Sequence, residues 1–169
     1  MKLQTEILKS DHYRDDFNCG NDILNNYLKK QANQDVKKKL SVCFVVCEIE
    51  DERNVVKGYY TLSNYGISRG LIPEKFQKKF PKSYKTIPAT LLGRLARDEK
   101  YGAPRAGEFL LMDALYKTYI TSQDIASFAV VVDPIDEKAK SFYSKYNFIE
   151  LPDSKKMFIP MKTLSELFG

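Results

Sequence analysis

Residues 94–111, RLARDEKYGAPRAGEFLL, begin as a strand-like run, pass through a loop of small residues and end in an amphipathic helical pattern. A helix start offers backbone N–H groups without intrahelical partners and the positive end of the helix dipole. Small side chains beside it let the backbone approach a pyrophosphate closely. Gly102, Ala103, Ala106 and Gly107 supply those small residues here, ahead of Glu108. Arg105 adds a guanidinium suited to phosphate oxygens, whereas Pro104 has no N–H and withdraws one donor. On residue types alone, a turn that merely caps a helix reads the same way, and Arg105 reads equally as a solvent-facing arginine.

Charge is the second feature with chemical content. The chain of 169 residues has a net charge of +5. Residues 69–100 concentrate it: Arg69, Lys75, Lys78, Lys79, Lys82, Lys85, Arg94, Arg97 and Lys100 stand against Glu74, Asp98 and Glu99. A solvated basic loop and an electrostatic footprint for nucleic acid or cofactor phosphates both account for this bias. The run KKQANQDVKKK (29–39) reads as the polar end of a helix.

Other chemistries find little support. Ser10, Asp11 and His12 are neighbours in sequence, but a hydrolytic triad needs convergence in space. Cys43 and Cys47 share a strand face about 13 Å apart, beyond the ~7 Å that a disulfide can bridge. With Cys19 they make an odd count and no disulfide framework; Cys43 and Cys47 read as core packing, and with His12, the only histidine, they are too few for a structural zinc site. No metal is expected.

The elements that position these residues follow from periodicity. A loose alternation over 2–9 predicts a first strand, and Asn21 caps a helix whose apolar face is Leu24, Tyr27, Leu28 and Ala32. SVCFVVCEIE (41–50) and VVKGYYTLSNYGI (55–67) flank DERN as a hairpin. Residues 73–85 read as a polar, proline-punctuated excursion rather than core, and 87–98 as a fourth strand. A helix over 106–120, a buried strand over 127–134, a helix with Ala139, Phe142, Tyr143 and Tyr146 on one face, and strands at 148–151 and 156–161 complete the chain. The expectation is one α/β (α+β) domain over 1–169, a mixed, largely antiparallel sheet flanked by helices. The apolar runs are strand-sized, which excludes a bilayer span, and the start lacks the run of a secretory signal, so a cytoplasmic location is expected.

Two segments together carry a resemblance. GAPRAG (102–107) occupies the slot of the Q/R-x-x-G-x-G/A signature of GNAT acetyltransferases, with Gly102 where Q or R is usual and Arg105 in place of the middle glycine. VVDPIDEKAKSFYSKYNF (131–148) resembles the V-N/D-x-x-N-x-x-A-x-x-F/L-Y-x-x-x-G-F segment of the same family. Asp136, Ala139, Phe142, Tyr143 and Phe148 fall on its positions, and Asn147, which tolerates left-handed backbone angles, stands where glycine is usual. Over nearly the whole chain, DHYRDDFNCGNDILNNYLKKQA (11–32), GYYTLSN (58–64), IPATLLGRLARD (87–98) and FIPMKTL (158–164) resemble the toxin-type GNAT group.

That resemblance implies a GNAT fold and acetyl transfer from acetyl-CoA to the α-amine of aminoacyl-tRNA, in the toxin of a type II toxin–antitoxin pair. It implies a ribbon-helix-helix antitoxin as partner and allows a homodimer. Acetyl-CoA is then held by residues 102–108 and the backbone of Leu95, Ala96 and Arg97, with Asp136, Ala139 and Phe142 beside it. Tyr143 becomes the general acid for the departing thiolate, although by spacing alone a tyrosine on an apolar helix face is core. Lys75, Lys78, Lys79, Lys82, Lys85 and Arg94 become the tRNA contacts. The alternatives are a GNAT enzyme for a small-molecule or protein amine, and a GNAT-derived binding module with an impaired cofactor site.

Overall fold

The computed structural model describes residues 3–169. Its strands, β1 (Glu6–Ile7), β2 (Val42–Glu50), β3 (Arg53–Ser68), β4 (Thr86–Arg97), β5 (Ala129–Val132), β6 (Ile149–Glu150) and β7 (Met157–Pro160), order as β1-β2-β3-β4-β5-β7-β6 in one seven-stranded sheet. The chain clusters into two compact units, Met1–Ser63 with Gly93–Ala114, and Asn64–Leu92 with Leu115–Gly169.

In the first unit, Asn21 caps α1 (Asp22–Lys30) by accepting the Leu24 N–H at 3.0 Å. The helix stops at Gln31, so Ala32, expected on the same helix, opens a second one, α2 (Ala32–Lys37). Ala32 remains fully buried, so the apolar face survives the break. Of the strand expected over 2–9, residue 2 lies outside the described residues and β1 is only Glu6–Ile7, paired with β2 (Val42–Glu50).

β2 and β3 (Arg53–Ser68) form the expected hairpin, with a tighter turn than DERN suggested. Asp51 and Glu52 alone make it, at φ +49° and +63°, because paired positive φ values match the twist of the strands. Leu8, Phe17, Tyr27, Leu28, Cys43, Val45, Val56 and Tyr59 form the core of this unit. Cys47 packs on its margin, as expected of core cysteines. The Tyr59 hydroxyl donates to the Leu24 carbonyl at 2.8 Å and fixes α1 to β3.

In the second unit, β4 (Thr86–Arg97) runs parallel to β5 (Ala129–Val132) through Thr90↔Val130, Leu91↔Val131 and Leu92↔Val132. β7 (Met157–Pro160) is antiparallel to β5 and to β6 (Ile149–Glu150). All four β5 residues are buried, which is why that strand reads as an unbroken apolar run.

The segment 73–85 departs from expectation. It contains α3 (Glu74–Gln77), and Phe76 and Phe80 pack against Phe128 and Phe158 on the core of the unit. Burying two rings, each worth some 150–250 Å² of surface, outweighs the polarity of their neighbours.

α4 (Ala106–Thr121) and α5 (Glu137–Ser144) fall where expected, with Tyr146 beyond the end of α5. A last helix, α6 (Met161–Phe168), was not anticipated; Phe168 meets the rings of Tyr116 and Tyr119. Among the described residues no helix is long and apolar enough to cross a membrane.

Candidate active site

The first unit carries the strand–loop–helix at 94–108. The end of β4 is tied down by Asp98, which is buried and uses its whole carboxylate. One oxygen accepts the Asn18 N–H at 3.0 Å and the other the Lys100 N–H at 2.8 Å. The ladder with β5 ends at Leu92, yet β4 continues to Arg97, so beyond Leu92 it has no pairing to β5. Leu95, Ala96 and Arg97 lie in that overrun.

Residues 102–105 then cross to α4. Arg105 takes φ +56°, a left-handed value that turns the chain sharply into the helix. Its carbonyl accepts the Phe109 N–H at 2.9 Å, the first bond of α4. The N–H groups of Ala106, Gly107 and Glu108 therefore belong to the opening turn, where no intrahelical acceptor exists. A side chain at Gly102 would meet nothing within 4 Å, so the approach is open.

The Arg105 side chain is 83% exposed, with Nε 3.3 Å from the Glu108 carboxylate. A pair so exposed holds weakly, and a phosphate can displace the carboxylate from it. N–H groups of an opening helical turn, small residues and one exposed guanidinium suit a pyrophosphate, even with Pro104 donating nothing.

The second unit carries the 131–148 segment. Asp136 caps α5, accepting the Ala139 N–H at 2.8 Å, so its carboxylate already has a use within the fold. Asn147 sits at φ +70°, which allows Asn where the motif has glycine. Tyr143 is 8% exposed, its ring centroid 5.4 Å from that of Phe142 and 5.2 Å from that of Phe148. Burial alone pushes its phenol above the ordinary value. Its hydroxyl bonds to no described residue. Three other buried tyrosines behave differently: Tyr27 donates to Asp35, Tyr59 to Leu24 and Tyr60 to Asp113, while the buried Tyr101 shares the pattern of Tyr143.

The expected tRNA contacts divide between the units. In the second, Lys75, Lys78, Lys79, Lys82 and Lys85 are all exposed, and none is ion-paired within the described residues. In the first, the Arg94 guanidinium lies 3.5 Å over the Tyr27 ring. Arg69, counted with the basic residues, turns its guanidinium inward onto backbone carbonyls.

Ser10 takes no part in a triad. His12 accepts the Lys9 N–H at Nδ1, which leaves the proton on Nε2 for Glu6, 2.8 Å away. The Cys47 sulfur completes a group of three ligand atoms within 4.8 Å of one another, a set that sequence distance concealed. An Nε2 carrying its proton has no lone pair for a metal, and burial pushes the Cys47 thiol up to about 12, keeping it a thiol. The hydrogen bond accounts for Glu6 and His12, and packing on the margin of the core for Cys47.

No family model matches the sequence. A probable toxin TacT of Sinorhizobium fredii is 31% identical over 166 residues, 94% of this chain and 90% of that protein. A tRNA-acetylating toxin of Mycobacterium tuberculosis is 30% identical over 154 residues, 90% and 89% of the two chains. The chain belongs to the family of GNAT-type tRNA-acetylating toxins. Solved structures of this toxin family bear out the expected fold. AtaT complexed with acetyl-methionyl-tRNAfMet is 32% identical, with a TM-score of 0.89 over 99% of this chain and all of that one. A Tyr-to-Phe variant of AtaT, bound to acetyl-CoA and the C-terminus of the antitoxin AtaR, gives 27% identity and a TM-score of 0.81 over 98% of each chain.

Proposed function

We propose that this protein is the toxin of a toxin–antitoxin pair, acetylating the α-amine of aminoacyl-tRNA in the cytoplasm with residues 1–169 as one catalytic domain. A ribbon-helix-helix antitoxin is its partner. Similarity over nearly the full chain to AtaT, a relative solved with acetyl-methionyl-tRNAfMet, carries this reading.

When bound, acetyl-CoA supplies an activated acetyl thioester. The opening N–H groups of α4, with Arg105, hold its pyrophosphate, and the backbone of Leu95, Ala96 and Arg97 orients the pantetheine arm by strand-like hydrogen bonds. Gly102, Ala103, Pro104 and Gly107 keep the approach narrow but unobstructed. Asp136 and Ala139 form the start of α5, and Phe142 packs against Tyr143.

The acceptor needs no dedicated base. An α-amine with a pKa near 7.7–8.0 is substantially neutral at physiological pH, unlike a lysine near 10.4. β4 accordingly contains no carboxylate. As the C–N bond forms and the C–S bond breaks, the amine releases a proton to solvent. Tyr143 gives its Oη proton to the departing sulfur and regains one from solvent. Lys75, Lys78, Lys79, Lys82, Lys85 and Arg94 hold the tRNA phosphates.

Incubation with labelled acetyl-CoA and bulk charged tRNA tests the whole reading. Label on the aminoacyl group is expected. Label on small amines or protein with none on charged tRNA would replace this function by an ordinary acetyltransferase, and absence of acetyl-CoA binding in calorimetry would leave a binding module.

A further inference from the structure

Arg69 carries a positive charge into a basic segment and spends its guanidinium on backbone carbonyls. One Nη donates to the Pro81 and Tyr84 carbonyls at 2.7 and 3.0 Å, the other to Gln77 and Phe80 at 2.9 Å each. Its backbone N–H donates to the Lys85 carbonyl at 2.9 Å. The Gln77 amide closes the near end on the Ile72 carbonyl at 2.6 Å. Beneath, the Phe80 ring lies 4.9 Å from Phe128 and the Phe76 ring 5.5 Å from Phe158. A loop rich in lysine is thus held from inside by one side chain and from below by two.

The same loop carries Lys78, Lys79, Lys82 and Lys85, exposed and without ion pairs among the described residues. Tyr84 stands between the last two in the chain and is 51% exposed. Unneutralised cations around an open aromatic face are the two components of a single-stranded nucleic-acid site: charge for the backbone, a ring for a base.

We propose that residues 69–85 form a platform locked by Arg69, on which Tyr84 stacks an unpaired base of the acceptor end of tRNA. The proposal rests on the reading of the chain as an enzyme of charged tRNA. Tyr84 is the ligand contact. Arg69 is a positioning residue, since four of its bonds are spent on carbonyls and a lysine cannot span them: the planar guanidinium has five donors in a fixed fork, the ammonium only three at one point.

The test measures affinity for an RNA hairpin with a single-stranded 3′ tail and for the same hairpin blunt-ended, together with KM and turnover on bulk aminoacyl-tRNA. The parent should prefer the tailed hairpin. Tyr84→Ala should lose that preference, with affinity for the tailed hairpin falling roughly 5- to 100-fold, and Tyr84→Phe should restore it. Arg69→Lys should match Arg69→Gln, each raising KM for charged tRNA roughly tenfold or more while turnover at saturation holds. Equal affinity for the two hairpins, or a Tyr84→Ala protein that keeps the preference, overturns the stacking site. Parental KM in Arg69→Lys overturns the clamp, because retained charge would then suffice. If the Arg69 variants fail to fold, the Tyr84 arm decides. A Lys78, Lys79 and Lys82 reversal that leaves tRNA activity intact removes the underlying reading as well. Damage there, with parental Tyr84 and Arg69 variants, removes this proposal alone.

Discussion

Tyr27, Tyr59 and Tyr60 spend their hydroxyls on Asp35, Leu24 and Asp113, whereas Tyr143 buries its ring and its hydroxyl has no partner among the described residues. Removing that hydroxyl in Tyr143→Phe therefore breaks no internal bond, and melting should change little. Single-turnover acetyl transfer should fall by about 10²–10⁴-fold if the hydroxyl protonates the leaving sulfur. Near-parental turnover would take Tyr143 out of the mechanism. The direction of its titration gives a second outcome. Because burial raises the phenol, the acid stays protonated throughout the working range. Between pH 6 and 9 the rate should climb as the acceptor amine loses its proton, with no falling limb. A fall near pH 8 would assign the acid to another group. The sign for stability agrees: Tyr143 costs the fold nothing until the unfolded chain's phenol ionises near pH 10, and stability declines above that.

At the scale of elements, the proposed cofactor site rests on the turn from β4 into α4. Gly107→Val should weaken acetyl-CoA affinity in calorimetry by placing a branched side chain at the second helical position. Unchanged affinity in a folded variant would move the pyrophosphate elsewhere. This turn was legible because its small residues are local, as were the Asn21 and Asp136 caps and the apolar run of β5. The break at Gln31 was not, since Ala32 keeps the apolar spacing across it. Nor was the packing of Phe76 and Phe80, whose lysine neighbours mask two rings four residues apart. α6 hid behind a run that reads as strand until Pro160, although Leu164 and Phe168 have helical spacing. Of the proposed site, the motif residues stand out in the sequence, but the roles of Asp98 and Arg69 do not. Both act by bonding backbone groups far along the chain, Asp98 to Asn18 and Arg69 to Pro81 and Tyr84, and no side-chain pattern marks such a partner.

For the molecule as a whole, the net charge of +5 is less informative than its placement, with five exposed lysines between residues 75 and 85 that have no ion pair among the described residues. Reversing Lys78, Lys79 and Lys82 to Glu should damage activity on charged tRNA, spare acetyl-CoA affinity and flatten the salt dependence of binding, since each lost phosphate contact removes roughly 0.7–0.9 from the slope. Equal activity across a salt series would point to a small acceptor. The overrun of β4 past its ladder with β5 bears on how the protein behaves in a tube. Five residues of strand beyond Leu92↔Val132 are a template on which a foreign strand can lie, the ordinary route to edge-to-edge aggregation. A pantetheine arm bonded to Leu95–Arg97 would occupy that template as a non-peptide strand. Acetyl-CoA should then protect the protein in storage: light scattering of aged samples should stay low with it and rise without it, and amide exchange at the overrun should slow on its addition.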